Sequence, residues 1–461
     1  MTRPSTAADP AELEAFLVAF PHVEYFDIFY TNLCGVPRGK RLRRHEMKGA
    51  FADGRFLPGS VLVVDTTGLD VEESGLVWED GDADRLAWPV PGTLTLAPWL
   101  GDDAAQVMLA MHELDGTPCV LDPRQILKTV LDRYAADGLT PVLACELEFY
   151  LLDAERTPEG GIQLAKGSDG RRPTQAQVYG LDADDIESSY LRALWEACDA
   201  MCIPSGAAIA EYAPGQLEVT LAHKPDALAA CDDAIRFKRA AKGVAATMGR
   251  TATFMAKPFA DQSGSGLHIH VSMDDKPGHN IFASEALEGT PELRHAIGGA
   301  CAFAADSMAF FAPNANSYRR FRRNSYAPVR AGWGTNNRTV PLRVPAGPPS
   351  SRHIEHRICG ADANPYLAVA AVLAAMHHGL TNKTDPGPPV VGDGYGETGE
   401  RLPTDWGYAV ERLARSELLE GYFGRRVLDM FATVKRFEQE RFYGFVTPMD
   451  YDWALLFARV S

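Results

Sequence analysis

The chain has 461 residues, 46% of them hydrophobic, enough to bury a large core and to divide into two domains. With 45 basic against 61 acidic side chains its formal charge is −16, which argues against nucleic acid or an anionic membrane as a partner. Met1–Pro10 lacks the apolar core of a signal peptide, and no run approaches the ~20 apolar residues of a spanning helix. The eight cysteines show no CxxC pair and no zinc spacing, although Cys198 and Cys202 would share a helical face. They read as reduced thiols of a cytoplasmic protein.

In chain order, Asp9 caps a helix with Pro10 at its first position, and Glu12 is placed to close a capping box before the helix runs out at Phe20. Tyr25–Tyr30, Val61–Val64, Thr93–Leu96 and Val107–Met111 read as strands of a compact sheet domain. The polar stretch Glu113–Pro118 sets a boundary, giving domains 1–115 and 116–461. Asp122-Pro123 opens a helix whose apolar stripe ends at Gly138. Helices are also expected over Ser188–Met201, Pro225–Met248 and Pro291–Phe310, and from Pro365 to Met376. Thr157–Arg172 and Pro386–Pro389 read as loops. No glycine-rich phosphate loop follows an early strand, so the alternation of strands and helices points to an α+β rather than a doubly wound fold.

The strand-like segments between those helices carry acids. Glu146 and Glu148 lie two apart, on the face opposite Leu147 and Phe149. Read alone, the pair is either the polar face of a half-exposed strand or part of a metal site. Glu211 and Glu218 flank the turn Ala213-Pro-Gly215, which can bring two acid-bearing stretches together or end a surface strand. His268 and His270 share one face after Gly264-Ser-Gly266, where glycine lets backbone approach a ligand closely. They are satisfied core histidines or ligands. One histidine among carboxylates suits Mg2+ or Mn2+ better than zinc. Glu355 and Arg357 alternate on a strand, and a buried acid and base there need pairing or ligands. Arg320, Arg338, Arg343 and Arg352 add planar donors that match carboxylate or phosphate.

Taken together these motifs resemble the glutamine synthetase family over nearly the whole chain. The resemblance is nearest to its glutamate–amine ligase branch, such as γ-glutamylpolyamine synthetases. It rests on Glu146-Leu-Glu148, the Glu211–Glu218 segment, Gly264–His268, Asn316–Arg320, Asn337-Arg338, and Arg352–Arg357 followed by Asn364-Pro365-Tyr366. It implies a small N-terminal β-grasp-like domain and a large catalytic domain built on an antiparallel sheet with surrounding helices. It implies Glu148, Glu211 and Glu218 around one divalent ion and Glu146, His268 and Glu355 around a second. Arg320, Arg357 and the Gly264 backbone would bind L-glutamate, while Arg338 and Arg343 would meet phosphate charge from ATP. Two stacked hexameric rings, a homododecamer with each site between neighbours, are implied in the same way.

Three departures bear on the nucleophile. Pro58, in Leu57–Ser60, stands where ammonium-using members carry an aspartate; Tyr326 stands where they carry a glutamate; Ser263 replaces an asparagine. Losing both acids removes a negative pocket for a small NH4+ and leaves room for a larger primary amine beside Tyr326. Putrescine-like amines and polyamines come first, ahead of ethanolamine and monoalkylamines. Ordinary glutamine synthesis and a non-catalytic ring scaffold rank lower. Glu148, Glu211, Glu218 or a metal-bound water remain alternatives for the base. The segment Asn382–Asp385 has no tyrosine in the adenylylation pattern.

Overall fold

A computed structural model describes residues 3–158, 160–396 and 399–451; residue 159 of the expected loop and the last ten residues of the expected larger domain lie outside them. The first of two sheets contains β1 (Tyr25–Thr31), β2 (Pro37–Arg43), β3 (Arg55–Pro58), β4 (Asp84–Pro89), β5 (Thr95–Leu96) and β6 (Ala104–His112). Their order is β2-β1-β6-β4-β3, with β5 also on β6. β1 and β6 run parallel, Tyr25 opposite Ala104 and Phe29 opposite Met108. β6 is buried along its whole length, which its run of Val, Met, Leu and Ala allows.

Two local expectations fail here. Asp9 caps the first helix, accepting from the Ala11 amide at 2.8 Å, but the Glu12 carboxylate accepts from the Gly92 amide at 3.1 Å instead of closing a capping box. Val61–Val64 is no strand. Gly59–Leu62 winds into one 3-10 turn after Pro58, sinking Leu62 into the core. A four-residue apolar run fits either state, and burial alone decides it.

The second sheet contains β7 (Leu139–Asp153), β8 (Ser205–Ala210), β9 (Gln216–Leu221), β10 (Arg250–Thr253), β11 (Leu267–Asp275), β12 (Trp333–Thr335), β13 (Leu342–Val344) and β14 (Ile354–His356). Its order is β12-β13-β14-β11-β7-β9-β8, with β10 pairing β7, and every pairing except β12–β13 is antiparallel. Helices Pro123–Asp137 and Ala227–Thr247 pack on it, and Pro365–Asn382 packs in turn against those two helices. The last runs past Met376 to Asn382, where Lys383 takes a left-handed cap. It crosses helix Pro291–Phe303 at glycines: a Cβ on Gly299 would meet the Ala375 carbonyl at 2.0 Å, and one on Gly379 the His295 carbonyl at 2.1 Å. The expected helix through Phe310 is broken after Phe303, and Met308–Phe311 is a separate piece. Asp306 lies in the break, held by Arg412 and Ser416 at 2.6 Å each.

A buried ion pair ties the first sheet's loops to helix Arg425–Tyr443. Lys435 is fully buried and reaches Glu438 at 2.7 Å, and Glu438 accepts from the Thr66 amide (2.8 Å) and hydroxyl (2.6 Å). Burial pushes the adjacent Cys34 thiol up to about 12. Burial also opposes ionisation of Glu438, but Lys435 outweighs it and holds the carboxyl below its usual range. Lys435→Met leaves Glu438 buried and uncompensated, and is expected to cost ~3–5 kcal/mol, whereas a Lys435→Met, Glu438→Leu double variant recovers much of that. Urea midpoints check this; equal losses in both variants would show that the cost is not that of a stranded Glu438 charge.

Candidate active site

Strand alternation buries Leu147 and Phe149 and turns Glu146 and Glu148 to the other face of β7. Cross-strand register then sets their company. Glu148 faces Glu218 on β9, Glu146 faces His268 on β11, His270 faces Glu355 on β14, and Glu355 faces Arg343 on β13. Directly opposed residues share a sheet face with side chains ~4.5–5.5 Å apart, so one ionisable row crosses five strands. Glu211 enters from the β8–β9 hairpin, closed by its amide on the Gln216 carbonyl at 2.9 Å and by Gly215 at φ 69°.

Donor atoms of Glu146, Glu148, Glu218 and His268 lie within 4.8 Å of one another, as do those of Glu146, His270 and Glu355. This grouping cuts across the expected partition. Glu146 belongs to both sets, His270 joins the second, and Glu211 lies outside both while lining the adjoining cavity. His268 is hydrogen-bonded to Glu146 through Nδ1, and its Nε2 lies 3.7 Å from Glu148. Glu148 accepts from the Gly266 amide (2.9 Å) and from Gln216 (3.2 Å).

Charge along the row is unevenly met. Burial opposes ionisation of Glu146, yet His268 and His270 hold it well below the carboxylate range. Burial also opposes ionisation of Glu355, but Arg357, then His268, bring it down to about 2. At the other end burial, with Glu146, Glu148 and Glu211 around it, pushes Glu218 up to about 11. Glu211 is likewise raised, by burial and then by Glu148. That end is rich in oxygen donors, and among the described residues no salt bridge reaches Glu211 or Glu218, which fits a divalent cation with hard oxygen ligands.

A cavity of about 260 Å³ opens beside this end, lined by Glu148, Glu211, Glu218, Gly264, Arg320 and Tyr326, together with Arg338 and Arg357. Arg320 is buried at the end of a short 3-10 turn, Ser317–Arg320, that is anchored by Ser317 on Asp362 at 2.6 Å; its guanidinium donates to the Ile358 carbonyl at 3.0 Å. Arg357 is buried and bonded to Glu355, and Arg343 meets Glu355 at 2.7 Å. Arg338 is exposed at the cavity edge. Gly264 is fixed by close approach: a Cβ would stand 2.7 Å from Arg320 Cγ and 2.8 Å from the Ala256 carbonyl. Tyr326, at φ 56°, packs its ring on Tyr212 with centroids 5.4 Å apart. Pro58 pairs with Asp84 in the first sheet and is not among the cavity-lining residues.

Sequence reasoning singled out neither Gln216 nor Tyr212. Gln216 bridges Glu148 and the Gly264 carbonyl (3.0 Å), and its two-residue spacing from Glu218 is a usable signal. Tyr212 carries none, because its position depends on how the hairpin folds over.

Comparison with known proteins agrees with this architecture. The family model described as "Glutamine synthetase, catalytic domain" matches residues 120–454. The chain is 38% identical over 446 residues to the gamma-glutamylputrescine synthetase PuuA of Escherichia coli (strain K12), covering 96% of this chain and 94% of that one. It is 32% identical to a glutamate–isopropylamine ligase of a Pseudomonas species, covering 90% and 91%. It is 31% identical to the gamma-glutamylethanolamide synthetase GlnA4 of Streptomyces coelicolor (strain ATCC BAA-471 / A3(2) / M145), covering 96% and 94%. Among solved structures, a GmaS complex with ADP superposes with a TM-score of 0.83 at 29% identity, covering 96% of this chain and 99% of that one. Among the described residues no helix is long and apolar enough to cross a membrane. With catalytic-domain, full-length and structural matches in accord, the chain belongs to the glutamine synthetase family, on its glutamate–amine ligase branch.

Proposed function

We propose that this ligase joins the γ-carboxylate of L-glutamate to putrescine or another polyamine, using ATP and passing through γ-glutamyl phosphate. The observation that carries the acceptor class is the Tyr212–Tyr326 pair beside Glu211, where the ammonium-using pattern has an acid. Aromatic faces next to a carboxylate suit an alkylammonium with a carbon chain, since a cation over such a ring gains ~0.5–2 kcal/mol. The Escherichia coli relative's name and its identity support putrescine ahead of the isopropylamine and ethanolamine of the next two relatives.

In this reading Glu148, Glu211 and Glu218 hold one Mg2+ or Mn2+ and Glu146, His268 and Glu355 a second. Bound there, the ions would neutralise the ATP phosphates and polarise the transferring group. Arg320 and Arg357 orient glutamate with the Gly264 backbone, so that its γ-carboxylate oxygen attacks the terminal phosphorus and ADP leaves. Arg338 and Arg343 meet charge on the phosphoryl oxygens. The amine nitrogen then attacks the acyl carbon, the carbon–oxygen bond to phosphate breaks, and phosphate departs. Glu211, which adjoins the tyrosines in the cavity lining, accepts the proton lost by nitrogen.

The division into 1–115 and 116–461 belongs to the same reading, supported by the first sheet ending at His112 and the catalytic match beginning at residue 120. So does a dodecamer of two stacked hexameric rings. Its support is the family membership alone, in a family whose resemblance implies sites between neighbouring subunits.

Four outcomes test the reading. Ligation should release phosphate from ATP only with glutamate and an amine present. In competition at equal concentrations, γ-glutamylputrescine or γ-glutamylspermidine should exceed the ethanolamine, butylamine and ammonium products by mass, and Tyr326→Ala should raise the KM for putrescine several-fold. Predominant glutamine would overturn the amine assignment. Gly264→Ala, by displacing Arg320 and crowding the Ala256 carbonyl, should raise the KM for glutamate roughly tenfold or more with some loss of Tm; an unchanged KM removes Gly264 from glutamate binding.

The fourth outcome is a pH dependence. Without a cation, burial and the surrounding carboxylates push Glu218 up to about 11, far above the usual carboxylate range, so the folded state retains its proton and loses stability as pH rises from that range towards 11. A divalent ion displaces that proton and relieves the loss. The rise in Tm on adding Mg2+ should therefore be larger at about pH 8 than at about pH 6, and Glu218→Gln should flatten the difference. A wild-type Mg2+ shift that does not change with pH would remove Glu218 from the ligand set.

A further inference from the structure

Beyond the end of β14 the chain runs through residues 358–363 past several parts of the corner that holds Arg320 and Gly264. The Ile358 carbonyl accepts from Arg320 at 3.0 Å. The Cys359 carbonyl accepts from the Leu267 amide at 3.0 Å, and the Ala361 amide donates to the Ser265 carbonyl at 2.9 Å, so the segment lies along the Gly264 turn. Asp362 then holds the short turn that carries Arg320. Its Oδ2 accepts from Ser317 at 2.6 Å and from Asn314 at 2.9 Å. Its Oδ1 is buried and accepts no hydrogen bond among the described residues. A Cβ on Gly360 would overlap that oxygen and stand 3.5 Å from Arg320 Nη1, so the carboxylate comes near the guanidinium only because position 360 has no side chain.

A buried cation holds this segment from the helix side. Lys238, on helix Ala227–Thr247, donates to the Ala361 carbonyl at 2.7 Å and to the Ala363 carbonyl at 3.2 Å, on either side of Asp362. Electrostatics give the carboxylate its use. Burial acts against the charge on Arg320 and pulls its pKa down, and the acids that oppose this are Glu148 and then Asp362. In the proposed function Glu148 turns to a metal ion, while Arg357 already has Glu355. Asp362 is then the carboxylate left to Arg320. It is not among the cavity-lining residues, so it steers the guanidinium without occupying the face offered to substrate. A planar fork that must meet a carboxylate through parallel bonds depends on its own orientation.

We propose that Asp362 is a positioning residue for L-glutamate binding, setting the Arg320 guanidinium against the substrate, with Lys238 clamping the backbone on both sides of it. The inference rests on the reading in which Arg320 binds glutamate, and it goes further by placing control of that arginine outside the cavity.

A double-mutant cycle on the full-length enzyme tests it. The quantity read is the KM for L-glutamate at saturating ATP and Mg2+, with whichever amine of the competition turns over fastest, so that an error in the amine leaves the test intact. Asp362→Asn keeps the shape and the acceptor for Ser317 but removes the charge. It should raise that KM roughly tenfold while the KM for ATP stays within about twofold, a split that general loosening of the fold would not give. Arg320→Lys should raise it at least as much, and the double variant should be no worse than Arg320→Lys alone, because both changes act through one guanidinium. Ser317→Ala, which frees the same carboxylate with its charge kept, should show the same coupling at roughly threefold, and it decides the matter if Asp362→Asn fails to fold. An unchanged glutamate KM in the folded Asp362→Asn or Ser317→Ala enzyme, equal rises in the KM for glutamate and for ATP, or effects that multiply in the double variant would overturn the assignment. An unchanged KM in Arg320→Lys would overturn the Arg320 reading and this inference with it. A raised KM there beside an unchanged one in Asp362→Asn would overturn this inference alone.

Discussion

Strand register is the constraint on which the rest of this molecule depends. Because side chains alternate with period two, a one-residue slip of β7 would send Glu146 and Glu148 into the core and Leu147 and Phe149 into the site. β7 is paired by β11 along nine residues, from Leu139 opposite Asp275 to Leu147 opposite Leu267, and by β9 and β10 towards its other end. The apolar face fixes the register, and the register places the charges. Burial of Leu147 and Val219 on one face is thus the physical cause of the Glu148–Glu218 juxtaposition on the other.

That juxtaposition is costly in an empty sheet. Like charges are brought together where water is scarce, and Glu218 responds by holding its proton. The opposite end of the row is settled internally, with Glu355 between Arg343 and Arg357 and Glu146 against two histidines. One row therefore contains a charge-satisfied end and an end that demands a cation. The cavity opens on the demanding end, where Arg320 and the Gly264 turn supply donors for an anionic substrate.

Much of this was legible in the residues. Glu146-Leu-Glu148 and His268-Ile-His270 declare their faces by spacing alone, and Asp122-Pro123 and Asn364-Pro365 mark their helices correctly. What escaped was whatever depends on partners far away in sequence. Glu12 finds Gly92 rather than its own helix, and Asp306 finds Arg412 and breaks a helix that its apolar neighbours would continue. The shared position of Glu146 between two groups follows from strand order, which no local pattern encodes.

The buried link from Lys435 and Glu438 to Thr66 has a mechanical meaning as well as a stabilising one. It fastens the small sheet's loop to a helix near the far end of the chain, with Asn364 adding bonds to the Asn32 and Leu33 carbonyls at 3.1 and 3.3 Å. Hinge motion between the two sheets would have to strip these groups of their partners without water to replace them. The cavity mouth is built from thinner parts: Tyr212, exposed on an otherwise buried hairpin, and the loop where Asn324 and Tyr326 take left-handed backbone angles. The body of the enzyme is a strut, and the two tyrosines ride on loops outside it that are built like a latch.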